Sequence, residues 1–570
     1  MKLSKSFQPN WEHRAPEPES YRSIFKWGNP EAYKHPSHQL YEMMKKKFGM
    51  TDEDFKEKKL AGNEKVACET PPQLTATQIH ALQEIVGEAN VATDDYSRVK
   101  YSNGKTAEEA MKLRRGINGK VADVVVHPRS REDILGLVQY CDQEKIPLYV
   151  YGGGSSVNMG FKSVKGGISL VMNTYMNRVL EFSETNQTIT VEGGMMGPDY
   201  ERLLNNAPVT LNAKQAFTGG HFPQSFEYSS VGGWVVTLGS GQYSSYYGDA
   251  CDMVMSMEVA TPKGVFKTHD FPATATGPKV NDIFMGSEGS FGVLISVTMK
   301  IFRYTPENTR RFAFIFPNWQ AAVSAAREIS QGEFGSPSLF RISDEEETDV
   351  GLKLYGLEGT PLDTLMKVSG YSPMKRCLFL GQADGDPDFA KLVKQKVQWI
   401  CMKNRGLMLG GFPVSQWEHG RFADPYMRED LNDYGIVIDT LESGVTWDNL
   451  HILHQGVRKF IKKRPNTICM THASHFYQQG TNLYFIFIAK IDDLEEYRKF
   501  QDGVIEAIHQ HGGSLSHHHG VGKMIGPWME KHLGREQMEL LRAIKKHLDP
   551  NNIMNPGGTL GLDTLKREYE

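Results

Sequence analysis

An α+β fold is what this sequence predicts, and three textures predict it. Residues 119–303 read as short strands and tight turns, residues 304–505 alternate helical and strand patterns, and residues 506–570 pair one helix with a glycine-flanked histidine loop. Ahead of them, residues 1–118 are polar, aromatic and proline-punctuated, which reads as a helical N-terminal region. At 570 residues the chain has length for three to four units at roughly 150 residues each.

Taken in order, the first helical pattern falls at His38–Phe48. VADVVVHP is an apolar strand ended by Pro128, and Ser130 with Asp133 makes a capping box for a helix running through Cys141. A strand over 147–150 then runs into Gly152. GISLVMN, TITVEGG, VMSMEVATPKG and GVLISVTMKIF alternate or stay apolar over five to eight residues, as strands do. Beyond residue 304 come helices at Trp319–Ser330 and 391–403 and strands at CLFLGQ and NLYFIFIAK. An amphipathic helix over 493–510 groups Leu494, Tyr497, Val504 and Ile508 and is stopped by Gly512 and Gly513. A last helix, over 536–548, precedes the tail DPNNIMNPGG.

Composition narrows the partners. Sixty-four Lys and Arg against 68 Asp and Glu give no basic stripe for nucleic acid, so a small molecule is expected. Six cysteines stand singly with no CxxC, which excludes a sulfur-rich zinc site and a disulfide framework. The start, MKLSKSFQPNWEH, lacks the apolar stretch of a secretory signal, no run of about 18 apolar residues suggests a membrane span, and the ending KREYE is not a peroxisomal address. A cytoplasmic location is the expectation.

Glycine loops carry the first chemical signal. Gly152-Gly153-Gly154-Ser155-Ser156 follows a strand, so successive backbone N–H groups can face an anion while the hydroxyls add donors. It is neither a Rossmann GxGxxG nor a P-loop, and alone it also suits an ordinary tight turn. QSFEYSSVGGW (224–234) and GSEGSFGV (286–293) put small residues beside apolar strands, either for strand-end packing or for a flat ligand. Three such segments together point to a large, elongated cofactor.

The second signal is SHHHGVGK (516–523). Adjacent imidazoles disfavour one another's protonation, so at least one stays neutral and able to accept a proton near pH 7. A solvated cluster or a metal site would also explain three histidines in a row; no metal is expected here.

The order GGGSSV, SFEYSSVGGW, GSEGSFGV, SHHHGVGK and DPNNIMNP, with MKLRRG, MNRVLEF and NLYF between, resembles the vanillyl-alcohol-oxidase type of FAD flavoproteins, and within them the alkyldihydroxyacetonephosphate synthases. The resemblance runs from about Arg98 onward. It implies a two-part FAD-binding domain over 119–303, a substrate-binding cap over 304–505 and a C-terminal segment that returns the histidine loop to the flavin. It implies FAD held non-covalently, with its diphosphate along Gly152, Gly153, Gly154, Ser155 and Ser156. Further contacts are implied from Gln224, Ser225, Glu227, Ser229, Ser230, Thr237, Ser240, Glu288, Gly289, Ser290, Gly292 and Val293. The implied reaction exchanges the acyl group of acyl-dihydroxyacetone phosphate for a fatty alcohol through an adduct at flavin N5, with no net redox. A lipid substrate, a peripheral membrane contact and a homodimer follow from the same resemblance.

The resemblance also assigns residues. Arg428 is the phosphate-binding arginine, although a surface ion pair is the plain alternative, and Arg341 is an arginine needed for activity, although the acids Asp344 to Glu347 offer it structural partners. Tyr484 is the active-site acid/base, within reach of the carbon that loses a proton; His518, with His517 and His519, accepts that proton or tunes the tyrosine; His221 lines the flavin site. The sequence departs from the family at Leu238, where an arginine is usual, at Gln224, where an aspartate is usual, and at His472 and His475. These departures keep open an FAD-dependent dehydrogenase or oxidase of a hydroxy acid or alcohol. An inert flavin-binding scaffold would have no use for so many titratable groups.

Overall fold

The computed structural model describes residues 7–563. The ending KREYE lies outside them, as does the very start of the amino-terminal stretch from which the compartment was inferred. Among the described residues no helix is long and apolar enough to cross a membrane.

Strands β1 (Val91–Ala92), β2 (Val124–Val126), β3 (Leu148–Tyr151) and β4 (Ile168–Val171) form a sheet in the order β1-β2-β4-β3, parallel except for β1. The parallel strands β2, β3 and β4 are short and mostly apolar and buried, as parallel strands covered on both faces must be. The helix Arg131–Glu144 makes the crossover and packs Ile134, Leu137 and Cys141 onto it. The Ser130 hydroxyl caps that helix by accepting from Asp133 N at 3.2 Å. The expected reciprocal half of the box is absent: Asp133 accepts instead from Arg129 N at 2.9 Å and from the Arg129 guanidinium.

A second, antiparallel sheet has the order β5-β6-β10-β8-β9, built from β5 (Val179–Ser183), β6 (Thr188–Glu192), β8 (Val254–Thr261), β9 (Gly264–Lys267) and β10 (Val293–Lys300). The burial of β10 from Val293 to Met299, Ser296 and Thr298 included, follows from its central place. A small pair joins β7 (Phe217–Thr218) to β11 (Phe302–Arg303).

The third sheet has seven antiparallel strands: β12 (Arg310–Phe316), β13 (Leu339–Ser343), β14 (Cys377–Ala383), β15 (Leu407–Gly410), β16 (Ile436–Thr446), β17 (Ile468–Phe476) and β18 (Gly480–Lys490), in the order β15-β12-β14-β13-β17-β18-β16. Helices Trp319–Ser330, Pro387–Lys403, Leu450–Lys463 and Leu494–Gln510 share one hydrophobic core with alternate residues of these strands, Phe312, Phe314, Ile342, Leu441, Leu483, Phe485 and Phe487 among them. Because side chains alternate across a strand, the intervening residues point to the opposite face. There the register sets Glu442 opposite Tyr484, Tyr484 opposite His472, and His472 opposite Ser343. The titratable row lies on this second face, beside the stretch that the helices His38–Phe48 and Met427–Asn432 cover at Ile436, Ile468, Met470 and Ile488.

The amino-terminal region is fastened to this sheet. His38–Phe48, capped by Ser37 and stopped by Gly49 at φ 65°, packs Leu40, Tyr41 and Met44 against Met427, Leu431 and Ile436. Arg22 and Asp433, 1% and 0% exposed, form a two-pronged ion pair at 2.8 and 3.0 Å, and Arg114 joins it at 2.5 Å. Removing one cation from such a buried cluster leaves Asp433 with Arg114 alone and opens an unfilled space where the guanidinium lay. We expect Arg22→Ala to lower the unfolding free energy by about 3–5 kcal/mol, read from urea titrations, whereas Arg535→Ala, at an exposed pair, changes it by less than about 1 kcal/mol.

Candidate active site

A single buried carboxylate organises the histidine loop. Glu442 in β16 is 2% exposed and accepts from the backbone N–H of His517 (2.6 Å), His518 (3.1 Å) and His519 (2.9 Å) and from the Ser516 hydroxyl (2.7 Å). Burial pushes its pKa up, yet the neighbouring imidazoles and these donors outweigh burial and hold it below the ordinary carboxylate value. Glu442, His517 and His518 place potential metal-ligand atoms within 4.8 Å of one another. Their bonds are already used: four donors occupy the carboxylate, and His517 Nδ1 faces His518 Nδ1 at 3.1 Å.

The aromatic groups stack around this point. The Tyr484 ring lies 4.8 Å from His472, 5.3 Å from His519 and 6.1 Å from His518, and its hydroxyl bonds Thr440 at 3.2 Å. Burial raises the phenol well above its usual value, so it stays protonated and serves as donor and acid. Burial, then the neighbouring histidines, lower His518 well below the ordinary imidazole value, and burial also lowers His519. Neutral imidazole beside protonated phenol is a base beside an acid. Tyr484 and the three histidines are therefore brought together in one cluster.

The glycine loop lies beside them. Asn158 Nδ2 donates to the His519 carbonyl at 2.7 Å, and Met524 N returns a bond to the Asn158 carbonyl. A methyl group at Gly153 would collide with the Tyr228 carbonyl, and Gly154 holds φ 79° against the Tyr151 hydroxyl. Only glycine fits this approach. Among the described residues the backbone N–H groups of Gly153, Gly154, Ser155 and Ser156 find no protein acceptor. Nor do the buried Tyr228 hydroxyl, the Ser290 hydroxyl, Arg428 Nη2 or either nitrogen of His221 find a partner. Free amide donors on a glycine loop, with unpartnered hydroxyls nearby, are what a diphosphate-bearing flat group requires, so these residues fit FAD. Arg428 joins the same corner: its Nη1 donates to Lys105 O at 2.6 Å, and Lys105 N donates to Ser156 O at 2.7 Å.

Several expected cofactor contacts have other partners here. The Glu288 carboxylate, pushed up to about 7 by burial, clamps Val521 N (2.5 Å) and Gly522 N (2.7 Å), so it ties the histidine loop down. Ser240 donates to Asp249 and lies 2.8 Å from His475 Nδ1. Ser229 accepts from Trp234 Nε1 at 2.7 Å, Ser230 caps Gly233 N, Thr237 donates to Gly233 O, Gln224 donates to Arg421 O, and Glu227 accepts from Tyr426. Ser225 O accepts from Tyr228 N, closing the turn beneath Gly153. Gly289, at φ 75°, packs against Val150, and Gly292 and Val293 open β10.

Arg341 pairs with Glu347, as the plain alternative held, and lies 3.2 Å from His472 Nδ1. Together His472 and Arg341 outweigh burial and hold Glu347 down to about 2. Leu238 is 41% exposed at φ 53°, so no cation stands at the family's arginine position. The sequence reading missed Glu442, Asp249 and Tyr477. An acid in the apolar strand IVIDTLESGVT was a signal for the first; nothing local marked the other two.

Burial holds two further imidazoles neutral, His221 down to about 4 and His475 down to about 3. The unfolded chain protonates both near 6.5, so it binds more protons than the native state below that pH. Stability is then complete above pH 6.5 and falls as pH drops toward 4. Thermal melts across this window check this, and His221→Gln is expected to flatten the slope.

Comparison with known proteins matches these features. A family described as "FAD binding domain" covers residues 122–269, and one described as "FAD linked oxidases, C-terminal domain" covers residues 305–559. The alkyldihydroxyacetonephosphate synthase of Dictyostelium discoideum is 30% identical over 518 residues, 87% of this chain and 82% of that one. Glycolate oxidase subunit GlcD of Bacillus subtilis is 24% identical, over 85% of this chain and 97% of its own. A solved alkyldihydroxyacetonephosphate synthase structure superposes with a TM-score of 0.80 at 26% identity, covering 94% of this chain and 99% of that one. The chain thus belongs to the alkyldihydroxyacetonephosphate synthase family of FAD-binding proteins.

Proposed function

We propose that this protein is an FAD-dependent alkyldihydroxyacetonephosphate synthase, exchanging the acyl group of acyl-dihydroxyacetone phosphate for a fatty alcohol without net redox. The observation that carries the reading is the neutral His518 imidazole held beside the protonated Tyr484 phenol over the Glu442 carboxylate. When bound, the flavin supplies a nucleophilic ring nitrogen to the substrate carbon.

The chain's own groups divide the remaining work. The Arg428 guanidinium, 7% exposed with Nη2 unpartnered, binds the substrate phosphate, where a planar cation gives two bonds. His518 takes the proton lost from the carbon next to the ketone, and Tyr484 donates a hydrogen bond that favours the charged form of the leaving carboxylate or the ketone oxygen. The balance is one fatty acid released for one alcohol taken up, the alcohol's proton leaving with the acid. Access of a fatty alcohol calls for a peripheral membrane contact. Trp399 and Met402, 61% and 62% exposed on the helix Pro387–Lys403, with Lys403 Nζ 5.3 Å over the Trp399 ring, are a fitting surface, and a homodimer belongs to the same reading.

A second reading, an FAD-dependent dehydrogenase or oxidase of a hydroxy acid, draws on the uncharged Leu238 and the extra imidazoles of His472 and His475. Labelled fatty alcohol separates the two: we expect it to appear in an alkylated product with no electron acceptor present. Flavin bleached only by a simple hydroxy acid and recoloured by a quinone would establish the second reading. Under the first, Arg428→Ala raises KM for the phosphorylated substrate about tenfold or more at near-constant kcat, while His518→Ala lowers kcat about 10²–10⁴-fold. Loss of flavin from Arg428→Ala would instead give that guanidinium to the cofactor's diphosphate.

A further inference from the structure

Behind the histidine loop runs a hydrogen-bonded chain that ends on a buried aspartate. Asp249 Oδ2 accepts from the Tyr477 hydroxyl at 2.6 Å, the same hydroxyl lies 2.8 Å from His517 Nε2, and His517 Nδ1 lies 3.1 Å from His518 Nδ1. A second arm leaves the other carboxylate oxygen, which accepts from Ser240, whose oxygen is 2.8 Å from His475 Nδ1. His475 sits where the β17–β18 register slips, at φ 55°, a conformation that a non-glycine residue adopts at some cost. Its ring lies 4.9 Å from His518 and 5.3 Å from His517.

Counting donors fixes every proton. An ionised carboxylate only accepts, so both hydroxyls give it their single hydrogen and must themselves accept from the imidazoles. His517 then carries its proton on Nε2 and leaves Nδ1 as a lone pair, which accepts from His518 Nδ1–H. Glu442 Oε2, 3.6 Å from the same His518 nitrogen, favours the same tautomer. His518 is left with a bare Nε2. By the same count His475 is protonated on Nδ1 and bare on Nε2.

We propose that Asp249, through Tyr477 and Ser240, is a positioning residue that sets the tautomers of His518 and His475, making His518 Nε2 the atom that accepts the substrate proton. This rests on the reading of His518 as the base. When Nε2 takes that proton, the imidazolium keeps its Nδ1–H bond to His517, the chain through Tyr477 holds that tautomer in place, and the ionised Asp249 carboxylate offsets the new positive charge. No electrons move.

Long-range ¹H–¹⁵N correlation on the ¹⁵N-histidine-labelled holoenzyme reads the tautomers directly. We expect His518 and His475 both protonated on Nδ1 in the wild type. Tyr477→Phe should mix the tautomers of His518 but not of His475, and lower kcat about tenfold to hundredfold with KM and flavin content held within about twofold. Ser240→Ala should disturb His475 alone. Wild-type His518 protonated on Nε2 would overturn the proposal even if the variants failed to fold, and so would a folded Tyr477→Phe with unchanged kcat. The expected tautomers together with an unimpaired His518→Ala would leave the chain in place and reject His518 as the base.

Discussion

The Glu442 carboxylate is the constraint on which this site depends. Placing an ionised group at 2% exposure costs several kcal/mol unless donors replace the lost water, and here three consecutive backbone N–H groups and one hydroxyl do so. Because each amide belongs to a different histidine, the bonds that solvate the charge also fix the path of the loop. Asn158 and Glu288 hold the loop's far side against the glycine segment. The histidine loop and the glycine loop thereby become parts of one hydrogen-bonded framework.

The sheet register supplies the rest. Helices cover one face of the seven-stranded sheet with Leu, Phe and Ala, which leaves the row Glu442, Tyr484, His472 and Ser343 on the other. A slip of one residue in β18 would turn Tyr484 into the helix-covered core and bring Phe485 outward. The bulge at His475 is a local departure of this kind, and it lets that ring lie against His517 and His518.

Much of the framework was legible before any coordinates. In the first two sheets β2, β3, β4, β6, β8 and β10 fall where alternation or apolar runs place strands, whereas β1, β5 and β9, short or at sheet edges, carry no such signal, and Trp319–Ser330 matches to the residue. Three glycines after a strand and three adjacent histidines are rare enough to mark themselves. Asp249 and Tyr477 are separated by 228 positions, and Ser240 and His475 by 235, so only the tertiary fold reveals that they share one hydrogen-bonded chain. The resemblance implies Glu288 and Ser240 as cofactor contacts, and the fold adds that both side chains also support histidines. Local composition identifies a lining segment but not which way its side chains turn.

The account reduces to the claim that Glu442 holds the backbone of His517, His518 and His519. Amide hydrogen exchange measures this most directly. If it is right, these three amides exchange as slowly in the wild-type holoenzyme as those of β18, and Glu442→Gln, which keeps the shape but loses the charge, speeds them by at least about tenfold while β18 stays protected. Fast exchange at these amides in the wild type, or slow exchange that survives the substitution, would contradict it.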